Sequence, residues 1–103
     1  MLNETPITMF SLTSEEIESL RQLGARLRRR RLQAGEPQLR AAGRIGVSLP
    51  TYRKLEQGDP GAQIGVWIRA LRLYSNLEDL TLLFPETLFD EQAKRQRAPR
   101  GGA

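Results

Sequence analysis

The segment from Gln38 to Gly58 restricts the fold more than any other part of the chain. It reads QLRAAGRIGVSLPTYRKLEQG, and its first half predicts a short helix from Gln38 to Arg44. Gly46 interrupts that helix, and Ser48 is a favourable N-cap for a second short helix that continues to Gln57. We expect the inner face of the first helix to consist of Leu39, Ala41, Ala42 and Ile45. The pattern predicts two short helices joined by a tight turn.

A longer helix is predicted upstream of this segment. Thr13 and Glu16 have the spacing of a capping box, and Gly35 stands where a left-handed C-terminal cap would be. The apolar stripe of this helix consists of Ile17, Leu20, Leu23, Leu27 and Ala34. Arg31 lies on the same stripe, and we expect it to have a partner because an unpaired charge on a buried face is costly.

Two more helices are predicted downstream. The turn Gly58-Asp59-Pro60-Gly61 precedes a helix from Ala62 to Tyr74, and Ser75 with Glu78 has the spacing of a second capping box. The helix before Ser75 carries the apolar stripe Ile64, Trp67, Ile68, Leu71 and Tyr74. The helix after Ser75 is expected to end at Pro85. The predicted fold is all-α, with five helices in one domain at residues 14–86, a partly flexible segment at 1–13 and a basic flexible tail at 87–103.

The composition excludes several classes of site. The 103 residues include neither cysteine nor histidine, so disulfides, Cys/His zinc sites and nucleophile–histidine couples are ruled out. We expect no enzyme activity, no cofactor and no metal ion. No run of about 18 apolar residues predicts a membrane span, and the first residues, MLNETPITMF, lack the pattern of a secretory signal. These features predict a cytoplasmic protein.

Positive charge is concentrated in the middle of the chain. Residues 21–72 contain twelve basic side chains, eleven of them arginines, against three acidic ones. Arginine is suited to bidentate contacts with phosphate and guanine, so this distribution favours a surface for nucleic acid. The alternative is an ordinary solvated face, but the charges lie within the segment with the clearest helical pattern.

The two short helices and their surroundings resemble the helix-turn-helix domains of the Cro/CI type. The resemblance covers about residues 20–86 and rests on Gln38, Ala42, Gly46, Val47, Ser48, Thr51, Leu55, Glu56 and Gly58, with Leu23, Gly24 and Arg31 upstream. It implies a five-helix lambda-repressor-like fold that binds a double-stranded DNA operator and regulates transcription. It also implies a buried salt bridge between Arg31 and Glu56, which would supply the partner that Arg31 needs.

The predicted contacts with DNA divide between the two short helices. The resemblance puts Gln38 beside phosphate, and the full set assigned to the DNA backbone is Gln38, Arg40, Arg44 and Ser48. The predicted base-edge contacts on the second helix are Leu49, Thr51, Arg53 and Lys54, while Tyr52 and Leu55 face the core. Arg53 and Lys54 are the favoured donors to guanine. Leu49 and Pro50 stand where the family often has polar readers, which increases the share of shape readout.

A chain this short builds a marginal core, and we expect a homodimer to compensate. The predicted dimer surface is Leu77, Leu80, Leu83 and Phe84, unless these side chains complete the core of the monomer. Segments such as LGARLRRRRLQAG and NLEDLTLLFPE also resemble HipB-type antitoxins. That resemblance implies an autorepressing antitoxin with a kinase-like toxin as partner. The alternatives are a stand-alone or phage-borne repressor and a module that neutralises a protein partner without reading DNA.

Overall fold

The computed structural model describes residues 11–84, 88–89 and 92–93. Its main elements are α1 (Ser14–Gln33), α2 (Gln38–Ile45), α3 (Leu49–Gln57), α4 (Ile64–Tyr74) and a 3-10 helix (Leu77–Leu83). No strand occurs in these described ranges, so the predicted all-α fold with five helices is confirmed. Pro85 and most of the predicted tail at 87–103 lie outside the described residues, and the proposed domain limits stay predictions.

Both ends of α1 follow local sequence signals. The Thr13 backbone N–H donates to Glu16 Oε1 at 2.9 Å, and the Glu16 N–H donates to Thr13 Oγ1 at 3.1 Å, which completes the predicted capping box. Gly35 follows the helix with a φ of 72°, a conformation that glycine adopts without steric cost. The placement of Ala34 on the buried stripe was wrong, because α1 ends at Gln33 and Ala34 is its exposed C-cap.

The predicted unit of two short helices is present. Gly46 ends α2 with a φ of 74°, and Ser48 caps α3 by accepting a hydrogen bond from the Thr51 N–H at 3.2 Å. Val47, between the two caps, packs against the core. Gly46 and Ser48 together end one helix and start the next within three residues, which produces the tight turn.

The core is formed by one side chain or more from each of the four α-helices. Its buried members are Leu27, Ala41, Ala42, Ile45, Tyr52, Leu55 and Ala70. Two glycines let α1 approach α3 closely: a Cβ at Gly24 would lie 2.4 Å from the Glu56 carbonyl oxygen, and one at Gly58 would lie 2.3 Å from the Leu20 carbonyl oxygen. These distances are too short for any side chain, so both glycines are required for the observed packing.

Two details of the predicted packing were wrong, the burial of Leu39 and the cap of the last helix. Leu39 is 68% exposed, because it lies to one side of the helix face that Ala41, Ala42 and Ile45 turn towards the core. Asn76, and not Ser75, caps the last helix: its Oδ1 accepts from the Glu78 N–H at 3.0 Å, while Ser75 is the C-cap of α4. The apolar stripe of α4 is mostly half-buried, and the fully buried residue of that helix is Ala70.

Candidate nucleic-acid interface

A buried ion pair joins α1 to α3. Arg31 Nε donates to Glu56 Oε2 at 2.6 Å, and Arg31 Nη2 donates to Glu56 Oε1 at 3.1 Å. The side chains are 7% and 4% exposed, so water has little access to either charge. Arg31 Nη1 also donates to the Glu36 carbonyl oxygen at 2.8 Å, in the loop between α1 and α2. The salt bridge expected from the resemblance is confirmed: it joins α1 to α3, and Arg31 also contacts the loop before α2.

Both members of this pair are charged at neutral pH. Burial alone would raise the pKa of the Glu56 carboxyl, but its hydrogen bonds, led by those from Arg31, hold that pKa below its usual value. The hydrogen bonds to Glu56 raise the pKa of Arg31 in turn. The pair fixes the inner side of α3 against α1, and the outer side of α3 is left for other contacts.

The outer side of α3 carries the predicted base-reading residues. Arg53 and Lys54 are exposed, and Leu49 and Thr51 are half-buried. Tyr52 and Leu55 are fully buried, which confirms that they face the core. Contact of the outer residues with bases stays a prediction. Gln57 is exposed and lies four residues after Arg53, so helical periodicity places it on the same side of α3, although it was not among the predicted residues.

Gln38 connects the ion pair with the outer side of α3. Its Nε2 donates to Glu56 Oε1 at 3.0 Å, and its Oε1 accepts from Arg53 Nε at 3.2 Å. The side chain is therefore held between a buried carboxylate and an exposed guanidinium. Its expected contact with phosphate stays a prediction.

The other predicted phosphate contacts have partners within the protein. Glu36 forms ion pairs with Arg44 and with Arg40, the latter at 3.4 Å from Arg40 Nε to Glu36 Oε2. The Tyr74 hydroxyl donates to Glu36 as well, and this bond, together with Arg44, holds the pKa of Glu36 below its usual value. The Ser48 hydroxyl donates to Thr51 Oγ1 at 3.0 Å. One carboxylate therefore neutralises part of the positive charge of α2.

The helix-turn-helix domain family matches residues 22–83. That range contains the ion pair, the whole of α2, α3 and α4, and the 3-10 helix. The chain belongs to this family. The family identifies the chain as a DNA-binding protein of transcription regulation and agrees with the resemblance to the Cro/CI type. No curated protein and no solved structure shows a significant match to the chain.

The helix-turn-helix protein has a second surface, a groove of about 670 Å³ between α1, α4 and the 3-10 helix. Its apolar lining includes Leu23, Leu27, Trp67, Leu71, Leu80 and Leu83. Beside the groove, Phe84 is 92% exposed, and Leu77, Leu82 and Leu83 are more than half exposed. Three of the four residues predicted for dimerisation are therefore exposed, and Leu80 is half-buried.

The described part of this helix-turn-helix protein has neither a candidate metal site nor a helix that could span a membrane. It contains no group of three or more acidic, histidine or cysteine side chains that could hold a metal ion. None of its helices is long and apolar enough to span a membrane. Members of the family are typically not enzymes.

Proposed function

We propose that this helix-turn-helix protein is a sequence-specific transcriptional repressor that binds its operator as a homodimer, with α3 in the major groove. The observation that carries the proposal is the division of α3 into two sides. Tyr52, Leu55 and Glu56 hold one side in the fold, and Arg53 and Lys54 project from the other. The major groove accepts one α-helix, and basic side chains on its outer side reach base edges and phosphates.

The contacts with bases are expected to come from four residues. Arg53 and Lys54 donate to guanine, Thr51 contacts a base or a phosphate, and Leu49 packs on a thymine methyl group. Arg40, Arg44 and Ser48 contact the DNA backbone, which requires the two arginines to leave Glu36 or to share it with phosphate. The DNA surface thus combines few base readers with several partly neutralised cations.

The dimer in this proposal forms through Leu77, Leu80, Leu83 and Phe84. A protein this small gains by burying such side chains, and a two-fold axis would place the two α3 helices about 34–36 Å apart, one turn of DNA. Leu83→Asp is expected to convert the dimer to a monomer in sedimentation equilibrium without unfolding it, because Leu83 is 58% exposed. A wild-type chain that sediments as a monomer at high micromolar concentration would contradict the dimer.

The DNA proposal is tested by selection from a pool of random duplexes with the full-length chain. We expect enrichment of a pseudo-palindrome whose half-sites are about 10–10.5 base pairs apart. Fluorescence anisotropy then compares the selected duplex with a scrambled one of equal length, and we expect at least roughly a thousandfold preference. Equal binding to both duplexes would exclude sequence-specific reading.

A second candidate function is that of an antitoxin, which the apolar groove favours. We propose that the groove wall of Leu23, Trp67 and Leu71, together with Leu82, binds a kinase-like toxin, while Leu83 and Phe84 stay in the dimer and α3 represses the shared operator. The test is to purify the protein encoded by the neighbouring gene, if it is kinase-like, and to titrate it with the helix-turn-helix protein by calorimetry. Binding that Leu82→Asp weakens and Arg53→Ala leaves unchanged supports the antitoxin, and absence of binding leaves a stand-alone repressor.

A further inference from the structure

Gln38 lies between the buried ion pair and the exposed side of α3. We propose that Gln38 is a positioning residue for base reading, which holds the Arg53 guanidinium with its terminal nitrogens free for DNA. The observation that carries this proposal is a pair of hydrogen bonds at Gln38. Its Nε2 donates to Glu56 Oε1 at 3.0 Å, and its Oε1 accepts from Arg53 Nε at 3.2 Å. The inference rests on the proposed reading of DNA by α3, and it gives Gln38 a role other than contact with phosphate.

The chemistry of Glu56 fixes the orientation of the Gln38 amide. A carboxylate that is paired with Arg31 accepts hydrogen bonds and donates none, so the NH₂ group of Gln38 must face Glu56. The amide oxygen of Gln38 then faces away from Glu56, towards Arg53. Because Glu56 is 4% exposed and is itself held by Arg31, the orientation of Gln38 is set by a rigid part of the fold.

This orientation decides which edge of Arg53 is available. Its Nε–H is taken by Gln38, whereas its two terminal nitrogens have no hydrogen bond within the described residues. Those nitrogens form the end of the guanidinium that can donate in parallel to O6 and N7 of one guanine. A free arginine side chain loses rotamer entropy when it binds, and an arginine already held in place loses less. The neighbouring Lys54 has no comparable hydrogen bond within the described residues, so positioning is confined to Arg53.

The test compares the selected operator with a scrambled duplex, using the full-length chain. We expect Gln38→Ala to lower affinity for the operator roughly tenfold, a part of what a whole bidentate base contact contributes, and to leave affinity for the scrambled duplex within about twofold. In the Arg53→Ala background, Gln38→Ala should have no further effect on operator affinity. Gln33→Ala, at the exposed end of α1, is the matched control and should change neither affinity.

The outcomes separate the alternatives. An equal loss on both duplexes would mean that Gln38 contacts phosphate, and an additive loss in the Arg53→Ala background would mean that the two residues act independently. Either result overturns the positioning role. Gln38→Met keeps the length of the side chain without its polar atoms, and it should reproduce the effect of Gln38→Ala at a temperature where circular dichroism shows both variants folded. A wild-type chain without sequence preference would overturn the proposed function, whereas a preference that both Gln38 variants retain would overturn the positioning role alone.

Discussion

Replacement of Glu56 by alanine is expected to destabilise the fold strongly. The Glu56 carboxylate accepts two hydrogen bonds from Arg31 and one from Gln38, and both charged side chains are less than a tenth exposed. Without Glu56, the Arg31 guanidinium stays buried with the Glu36 carbonyl oxygen as its remaining acceptor among the described residues. Removal of one partner of a buried pair costs about 3–5 kcal/mol, because the other charge is left without hydration or a counter-charge.

The loss of free energy of unfolding is measured by urea denaturation and the change in Tm by thermal melting, both monitored by circular dichroism. For a domain of this size, each kcal/mol lowers the Tm by about 4–8 °C, so Glu56→Ala should melt at least about 12 °C below the wild type. The matched control is Glu18→Ala, which removes an exposed pair with Arg21 and should cost less than about 1 kcal/mol. A free energy of unfolding for Glu56→Ala within about 1 kcal/mol of the wild-type value would refute the structural role of the buried pair.

Three further predictions follow from the same contacts. The pKa of Glu56 is lower in the folded chain than in the unfolded one, so the stabilisation by its carboxylate is complete above about pH 4.3 and is lost as the pH falls through the lowered pKa. Urea titrations at several pH values should show this fall in the free energy of unfolding for the wild type and a smaller fall for Glu56→Ala. Gly24→Ala would place a Cβ 2.4 Å from a backbone oxygen of α3, and we expect a loss of about 1–3 kcal/mol in the same assay, whereas Gly43→Ala, which meets open space, should be neutral or stabilising. Glu36→Gln releases two arginines of α2 from their ion pairs, so the affinity for random DNA should rise and the slope of log affinity against log salt should steepen by about one unit. An unchanged slope would mean that these arginines do not contact phosphate.

Much of the fold was predictable because its signals are local. The start of α1 at Thr13, the turn at Gly46 and the cap at Ser48 each depend on residues within three or four positions of one another. Burial was less predictable, because periodicity identifies a helical face without showing how far the neighbouring helices extend over it. Leu39 shows this limit: it stands three residues before the buried Ala42, but no other helix of the described residues covers its side of α2.

The candidate site was predictable in part for the same reason. The Arg31–Glu56 pair was expected because Arg31 stands on an apolar stripe, and the resemblance to the Cro/CI type identified Glu56 as its partner. The Glu36–Tyr74 bond and the contact of Gln38 with Glu56 were not expected, because these partners lie 38 and 18 residues apart along the chain and no local pattern records such a pairing. The Glu36–Arg40 pair has i,i+4 spacing, and this local signal was overlooked.

If α3 reads DNA as proposed, stability and base reading both depend on the carboxylate of Glu56. Glu56 holds Arg31 in the core and Gln38 at the edge of the reading surface, and Gln38 in turn contacts Arg53. Since the side chains of Leu49 and Pro50 have no hydrogen-bond donors, the proposed reading of DNA makes specificity depend heavily on Arg53, and a precise position for that side chain would matter more than on a surface with many readers. A helix with few readers therefore gains most from a rigid connection to the core, and the Arg31–Glu56 pair provides that connection.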